Sequence, residues 1–253
     1  MRALRIILII TVVLAGIFVA ADRLLVGVAE DKAAEKLRTS EGLAQTPDVS
    51  IKGFPFLTQV VGGEFDEVQI GIDGLEASTE GEKMRIEKLN ATMHGVAFSD
   101  NYSSATANRA SGTALISYAE LLKAAQVEPV ELAPGVNAKV VGLADGGDGR
   151  IEVRVEIKGS VLGVPVNRTV TVRSQVAIED GLVKVNADKG ELDGELGKLK
   201  ALGLGIVEAR IREITDFQQK LDGLPSGIEL DKVEAASDGV RISVTGSQVK
   251  LAG

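Results

Sequence analysis

The chain has 253 residues, of which 45% are hydrophobic but only 3% aromatic, and it carries a formal net charge of −8 at pH 7. It contains no cysteine, which excludes disulfides, thiolate metal sites and cysteine nucleophiles. The negative charge, without any run of Lys and Arg, argues against a nucleic-acid partner, because phosphate binding needs a concentrated basic face. Val, Ile, Leu and Ala must supply the core, and this bias suits strands.

The N-terminus predicts an export segment. Arg2 and Arg5 precede an uncharged apolar stretch over residues 6–21, and small residues offer a peptidase site before Asp22. These are the parts that a secretory signal requires. The stretch is shorter than the ~20 residues that comfortably span a bilayer, which favours cleavage but leaves a retained anchor open. We therefore expect residues 1–21 to form a signal peptide or membrane anchor that directs the rest of the chain across the membrane.

The segment after the export stretch predicts first a helix and then strands. Over residues 22–38 apolar side chains recur at helical spacing, and Gly42 and Thr46-Pro47 end the pattern. Further on, apolar and polar residues alternate in short runs, as in strands with one buried and one wet face. These runs cover residues 49–51, 68–72, 84–86, 151–157, 170–178, 182–185, 228–230, 240–244 and 249–251.

Turn signals between these runs predict antiparallel hairpins. We expect turns at Asp73-Gly74, at residues 145–149, 179–181 and 237–239, and at Gly246-Ser247.

Two helices are expected to interrupt the strands. Residues 117–120 form a capping box, in which the Ser117 hydroxyl and the Glu120 carboxylate both accept hydrogen bonds from free amide groups, and its helix reaches about residue 126. A second helix is expected over residues 204–213, while residues 214–221 suit either a helix or a strand.

The most unusual segment covers residues 53–68 and contains three of the six phenylalanines. Phe54 and Phe56 flank Pro55, which cannot donate to a sheet ladder, so we expect this piece at an edge or a bend where a sheet opens. From these residues alone, two interpretations stay open. The rings line the mouth of an apolar pocket, or they plug one end of the core.

The residues that catalysis needs are sparse. His94 is the single histidine, which excludes a histidine metal cluster and a histidine-based relay, and no serine lies in a nucleophile elbow. Asp66 and Glu67 are best interpreted as solvated charges, although an envelope hydrolase that uses carboxylates is a further alternative. The sequence therefore predicts a protein that is not an enzyme and needs no cofactor.

Residues 51–59 and 62–68, with weaker support from residues 224–230, resemble the LmeA-like phospholipid-binding proteins of the actinobacterial cell envelope. The resemblance implies one extracytoplasmic domain over residues 22–253 that binds phospholipids, including inositol-containing and other anionic ones, at a membrane. It also implies a role in making or maintaining envelope lipids or lipoglycans. The implied fold is α+β, an elongated lipid carrier in which a curved antiparallel sheet wraps a helix and leaves an apolar groove.

We expect acyl chains to lie in this groove and a few basic donors to meet the headgroup at its rim. The candidate lipid-binding residues are Phe54, Pro55, Phe56, Leu57 and Phe65, with Lys52 and Arg168 as the basic donors. The alternative function is a structural or adaptor protein of the envelope, whose sheet is filled by its own side chains and whose exposed edge pairs with a partner.

Overall fold

A computed structural model describes residues 2–79, 82–99, 104–124, 129–161, 163–179, 182–201, 217–220 and 226–252. The helices are α1 (Arg2–Ser40), α2 (Phe56–Gly62), α3 (Tyr118–Ala124) and α4 (Lys189–Ala201). The strands are β1 (Asp48–Lys52), β2 (Glu64–Thr79), β3 (Glu82–Ser99), β4 (Ser104–Ile116), β5 (Val130–Ala133), β6 (Val136–Gly147), β7 (Arg150–Val161), β8 (Val164–Glu179), β9 (Leu182–Ala187), β10 (Phe217–Lys220), β11 (Ile228–Ala236) and β12 (Gly239–Ala252).

The strands form two six-stranded antiparallel sheets. The first sheet has the order β1-β2-β3-β4-β12-β11, and the second has the order β10-β9-β8-β7-β6-β5. Most neighbours are hairpins along the chain, while the pairing of β4 with β12 brings the C-terminal hairpin back to the first sheet. The α+β fold with a curled antiparallel sheet is confirmed, and the strands divide between two sheets.

Helix α1 joins the export segment to the predicted amphipathic helix without a break. The expected helix over residues 22–38 is confirmed, and it ends at Ser40, two residues before the predicted stop at Gly42, which has a φ of +63°. Residues 6–20 are exposed, whereas Val26 and Ala34 are buried against the domain. Among the described residues, one helix, over Ala3–Ser40, is long and apolar enough to cross a membrane.

The main core lies on one face of the second sheet. The predicted alternation in β7 is confirmed, since Ile151, Val153, Val155 and Ile157 are all buried. Branched side chains suit this position because they pack well on a pleated surface. Side chains from α3, β11 and β12 complete the same cluster, so the core also joins the two sheets.

Two predicted turns are wrong because each lies inside a long strand. Asp73-Gly74 falls within β2, and Gly246-Ser247 falls within β12. Gly74 in β2 has a φ of 64°, and Gln248, which follows Ser247 in β12, has a φ of 52°. The backbone deviates locally at both residues, while the pairing register continues on both sides of each. Glycine and small polar residues signal turns in sequence, but here they change the direction of side chains without ending the strand.

Gly95 in β3 has the same effect as Gly74. It has a φ of +59°, and its neighbours Met93 and Val96, three residues apart, pack in one cluster. In a regular strand, residues at odd spacing point to opposite faces. The glycine therefore shifts the alternation by one residue and keeps both apolar side chains on the same face of the first sheet.

The predicted capping box at α3 is half correct. The Ser117 hydroxyl accepts a hydrogen bond from the Glu120 amide at 3.3 Å, as expected. The Glu120 carboxylate, however, accepts from the amide of Arg85 in β3 rather than returning to the cap. A hydrogen bond from Lys123, followed by that from Arg85, lowers the pKa of Glu120. The carboxylate thus links α3 to the first sheet, a non-local partner that a local motif cannot reveal.

The remaining predictions lie partly inside and partly outside the described residues. The turns at residues 145–149 and 237–239 are confirmed. The helix expected over residues 204–213 and the centre of the turn at residues 179–181 lie outside the described residues. Of residues 214–221, the described part is strand β10.

Sequence reasoning missed helices α2 and α4. Helix α2 has only seven residues and follows Pro55. Helix α4 contains three glycines, at positions 190, 194 and 197, and glycine weakens a helical pattern by roughly 1 kcal/mol per residue.

Candidate functional site

On one face of the first sheet, apolar residues of neighbouring strands are paired in rows that run across the sheet. In the central row, Ile70 of β2, Ala91 of β3, Gly112 of β4, Val244 of β12 and Leu230 of β11 lie side by side. All five are only partly buried. This face therefore keeps contact with solvent in the middle of the sheet, where a closed core would not.

The rows on either side have the same distribution of sizes. One consists of Val68, Met93, Ala110, Gly246 and Ile228, and the other of Ile72, Leu89, Ala114, Ile242 and Val233. In each row β4 supplies Ala or Gly, Ala91 or Gly246 lies beside it in two of the rows, and larger side chains stand further out on β2 and β11. The face thus forms a trough whose floor follows β4.

The partly exposed floor of the trough is long enough for much of a hydrocarbon chain. From Ala110 to Ala114 it extends over about 13 Å, at ~3.3 Å per residue, whereas Ala107 is completely buried. One leaflet occupies about half of the ~30 Å hydrocarbon core of a bilayer, so this length is close to that of one acyl chain. The described residues of the trough are aliphatic, and such a lining suits hydrocarbon.

A row of aromatic rings closes one end of the trough. Phe56 of α2 stacks on Phe65 of β2 with ring centroids 5.8 Å apart, and Phe65 meets Phe98 of β3 edge to face at 5.1 Å. Phe56 is buried with Val26 and Ile51, so the rings connect α1 to the first sheet. The structure therefore brings two of the candidate residues, Phe56 and Phe65, into direct contact at this end.

The bend before α2 is held by a buried carboxylate of α1. The Asp22 side chain is completely buried, and its Oδ1 accepts a hydrogen bond from the Leu57 amide at 2.9 Å. Pro55 at the helix start provides no side-chain cap, so Asp22 supplies one from another helix. Arg23 donates to Asp22 at 2.7 Å and to the Gly53 carbonyl at 3.3 Å. The bend and α1 are thus one unit.

A second set of polar contacts fixes β1 to its neighbours. The Glu30 carboxylate of α1 accepts a hydrogen bond from the Ile51 amide at 2.7 Å. The Gln59 side chain of α2 donates to the Lys52 carbonyl at 3.4 Å and accepts from the Asp66 amide at 2.8 Å. Two of these bonds satisfy backbone groups of β1, the edge strand of the sheet, and the third satisfies the Asp66 amide of β2.

The two basic candidates lie apart from the aromatic rings and from each other. Lys52 is exposed on the polar face of the first sheet, across from Glu67. Arg168 is in the second sheet, opposite Ile157, and its side chain is exposed. Phe54 is also largely exposed, with the Arg23 guanidinium 5.2 Å from its ring centre.

Sequence reasoning missed the floor of the trough. The signal was present, because small residues alternate with polar ones along β4, with one offset beside Gly95. Ala and Gly carry little hydrophobic weight, so this strand gave no strong periodic pattern.

Other features of the described residues offer weaker sites. A pocket of about 150 Å³ lies between the loop after α1 and β2, lined by residues 41–44 and 72–76. Ligand pockets usually measure roughly 300–1,000 Å³, so this one is small for a lipid. In the described part of the chain no group of three or more His, Asp or Glu residues could hold a metal ion. The Nδ1 atom of His94 lies 3.3 Å from the carboxylate of Glu67.

The structure is an antiparallel α+β fold with a partly exposed aliphatic face, a surface suited to a hydrocarbon ligand. The family model described as LmeA-like phospholipid-binding matches residues 20–245, and the chain belongs to this family. Searches of curated proteins and of solved structures found no match. Membership confirms the resemblance found in the sequence and indicates a phospholipid-binding rather than a catalytic protein.

Proposed function

We propose that this protein is an extracytoplasmic carrier that holds phospholipid acyl chains in the trough of the first sheet. The observation that supports it most is the central row, in which Ala91 and Gly112 lie side by side and all five residues from Ile70 to Leu230 are partly exposed. Burying a methylene gains about 0.8 kcal/mol, so a dozen of them contribute on the order of 10 kcal/mol. Such a trough needs few polar contacts to bind lipid.

The location and the biological role belong to the same proposal. The apolar N-terminal segment of α1 suits export or anchoring, which supports work in the cell envelope and a part in the making or upkeep of its lipids or lipoglycans. The net charge of −8 disfavours adhesion to anionic lipid by charge alone. Selection of an anionic headgroup therefore requires local donors; of the two candidates, Lys52 lies on the opposite face of the same sheet and Arg168 in the second sheet, so a headgroup role for either needs the lipid to extend beyond the trough.

The decisive experiment is to extract the purified protein with organic solvent and to identify bound lipid by mass spectrometry. Uptake of a fluorescent phospholipid then measures binding directly. We expect phospholipid to copurify and the labelled lipid to bind. A lipid-free protein that takes up no labelled phospholipid would contradict the proposal and favour the structural or adaptor alternative.

A matched pair of variants tests whether the trough is the binding site. Ala91→Phe places a ring in the central row, whereas Asn90→Phe places the same ring on the polar face of the same strand. We expect Ala91→Phe to lower uptake by about ten-fold or more, which equals the loss of roughly two buried methylenes, and Asn90→Phe to leave it unchanged. Equal uptake by two folded variants would move the binding site elsewhere.

A further inference from the structure

Asp22 and Arg23 end the apolar stretch of the sequence, but the exposed apolar surface of α1 continues beyond them. Asp22 is completely buried beneath α2, so its charge does not face outward. On the outward side of the helix the next residues are apolar and exposed, with Leu24 at 73%, Leu25 at 44% and Val28 at 50%. This stripe continues the exposed surface of residues 6–20 for two more turns.

Arg23 and Phe54 lie beside this stripe. Arg23 is drawn back toward the domain by its bonds to Asp22 and to the Gly53 carbonyl. Its guanidinium stays over the ring of Phe54, which is 57% exposed. A long basic side chain that reaches back to polar partners beside an aromatic ring is suited to the boundary between lipid and water.

The length of the helix agrees with this boundary. Residues 6–21 span about 24 Å, short of the ~30 Å hydrocarbon core, whereas residues 6–28 span about 34 Å. The shorter segment would force the bilayer to thin, while the longer one matches it with a modest tilt. The better match requires the turns around Leu24 and Val28 to enter the leaflet.

We propose that Leu24, Leu25, Val28 and Phe54 form a membrane collar that inserts into the outer leaflet of the bilayer that α1 enters. The occupant of this surface is lipid, because the stripe is continuous with a segment apolar enough to cross a membrane. Phe56 follows the collar directly, so the aromatic end of the trough stands at the leaflet. The collar requires that α1 is retained as an anchor and not cleaved before Asp22. It rests on the proposed function only for its purpose, which is to let lipid pass between leaflet and trough.

The absence of cysteine makes a depth measurement direct. Single variants Leu24→Cys, Val28→Cys and Lys36→Cys place a polarity-sensitive dye along the outward side of α1, about 18 Å from first to last. Phe54→Cys reports on the bend, and Thr113→Cys, on the polar face of β4, is the control. The full chain is reconstituted in phosphatidylcholine vesicles that contain lipid spin-labelled near the headgroup end of its acyl chain.

We expect strong quenching at Leu24, Val28 and Phe54, and weak quenching at Lys36 and Thr113. Quenching at Val28 and Phe54 as weak as at Thr113 would overturn the collar. Vesicles of neutral lipid are chosen so that the protein's charge does not affect the result.

A double variant of the full chain tests the collar separately from the trough. We expect the double variant Leu24→Ser, Val28→Ser to slow lipid transfer from vesicles by about ten-fold, while lipid bound in detergent stays at the wild-type level. Unchanged transfer would contradict the collar. Strong quenching in a protein that never binds lipid would support the collar and contradict the trough, so the two proposals fail separately.

Discussion

The two sheets have the same number of strands, yet the centres of their apolar faces differ in burial. In the second sheet Val136, Ile157 and Val172 are completely buried beneath side chains of α3, β11 and β12. In the first sheet the central row around Ala91 and Gly112 remains partly exposed. The comparison indicates that the second sheet contains the main core, whereas the centre of the first sheet is where the proposed lipid would lie.

Residue size explains much of this difference. The buried face of the second sheet is built from Val and Ile, which fill the space between strands and their cover. The first sheet has Ala or Gly at the corresponding central positions of β4. Where the sheets meet, the Tyr118 hydroxyl donates to the Ala236 carbonyl at 2.8 Å, and burial raises the pKa of this tyrosine. The closed core thus begins at the end of the trough opposite the phenylalanines.

The largest expected effect tests directly whether the two sheets differ in how tightly they are packed. Ile157→Ala should lower the free energy of unfolding by about 3–4 kcal/mol, because the second sheet cannot collapse around the cavity. Ile70→Ala removes the same atoms from the partly exposed trough and should cost only about 1 kcal/mol. Urea unfolding of the two variants measures both values. Equal losses would show that the trough is as tightly packed as the core.

The two faces were not equally predictable from sequence. The second sheet could be recognised because β7 alternates strictly between branched and charged residues. Glycines inside β2 and β12 were interpreted as turns, since only the pairing with neighbouring strands shows that the register continues. The placement of Arg168 in the other sheet from Phe56 depends on long-range pairing, which local patterns do not encode.

A smaller effect, on pH dependence, tests how α4 covers the second sheet. Glu191 of α4 accepts hydrogen bonds from the backbone and side chain of Arg173 in β8, and the side-chain bond is the main reason that the pKa of Glu191 is lowered. A lowered pKa means that the stabilisation is present at neutral pH and is lost as the pH falls through the value in the folded protein. We expect wild type to exceed Glu191→Gln in stability at pH 7.

The measurement is thermal unfolding of both proteins between pH 7 and pH 3. The difference in Tm should be constant at neutral pH and should shrink below about pH 4.5, where the unfolded glutamate takes up a proton. The variant Glu179→Gln, which removes a more exposed ion pair with Lys184 on the same sheet, is the control. A difference that stays constant down to pH 3 would mean that the charge on Glu191 does not hold α4.

The smallest effect concerns a defect within the closed sheet. The Ser174 hydroxyl is completely buried among the apolar side chains of the second sheet and has no hydrogen-bond partner among the described residues. An unpaired buried hydroxyl costs about 1–3 kcal/mol, and part of this is recovered when the oxygen is removed. Ser174→Ala should therefore raise the free energy of unfolding by about 0.5–1 kcal/mol, whereas Ser111→Ala on the exposed polar face of β4 should change it by less than about 0.5 kcal/mol. Destabilisation by Ser174→Ala would mean that this interior contains a partner for the hydroxyl and is not closed to polar groups.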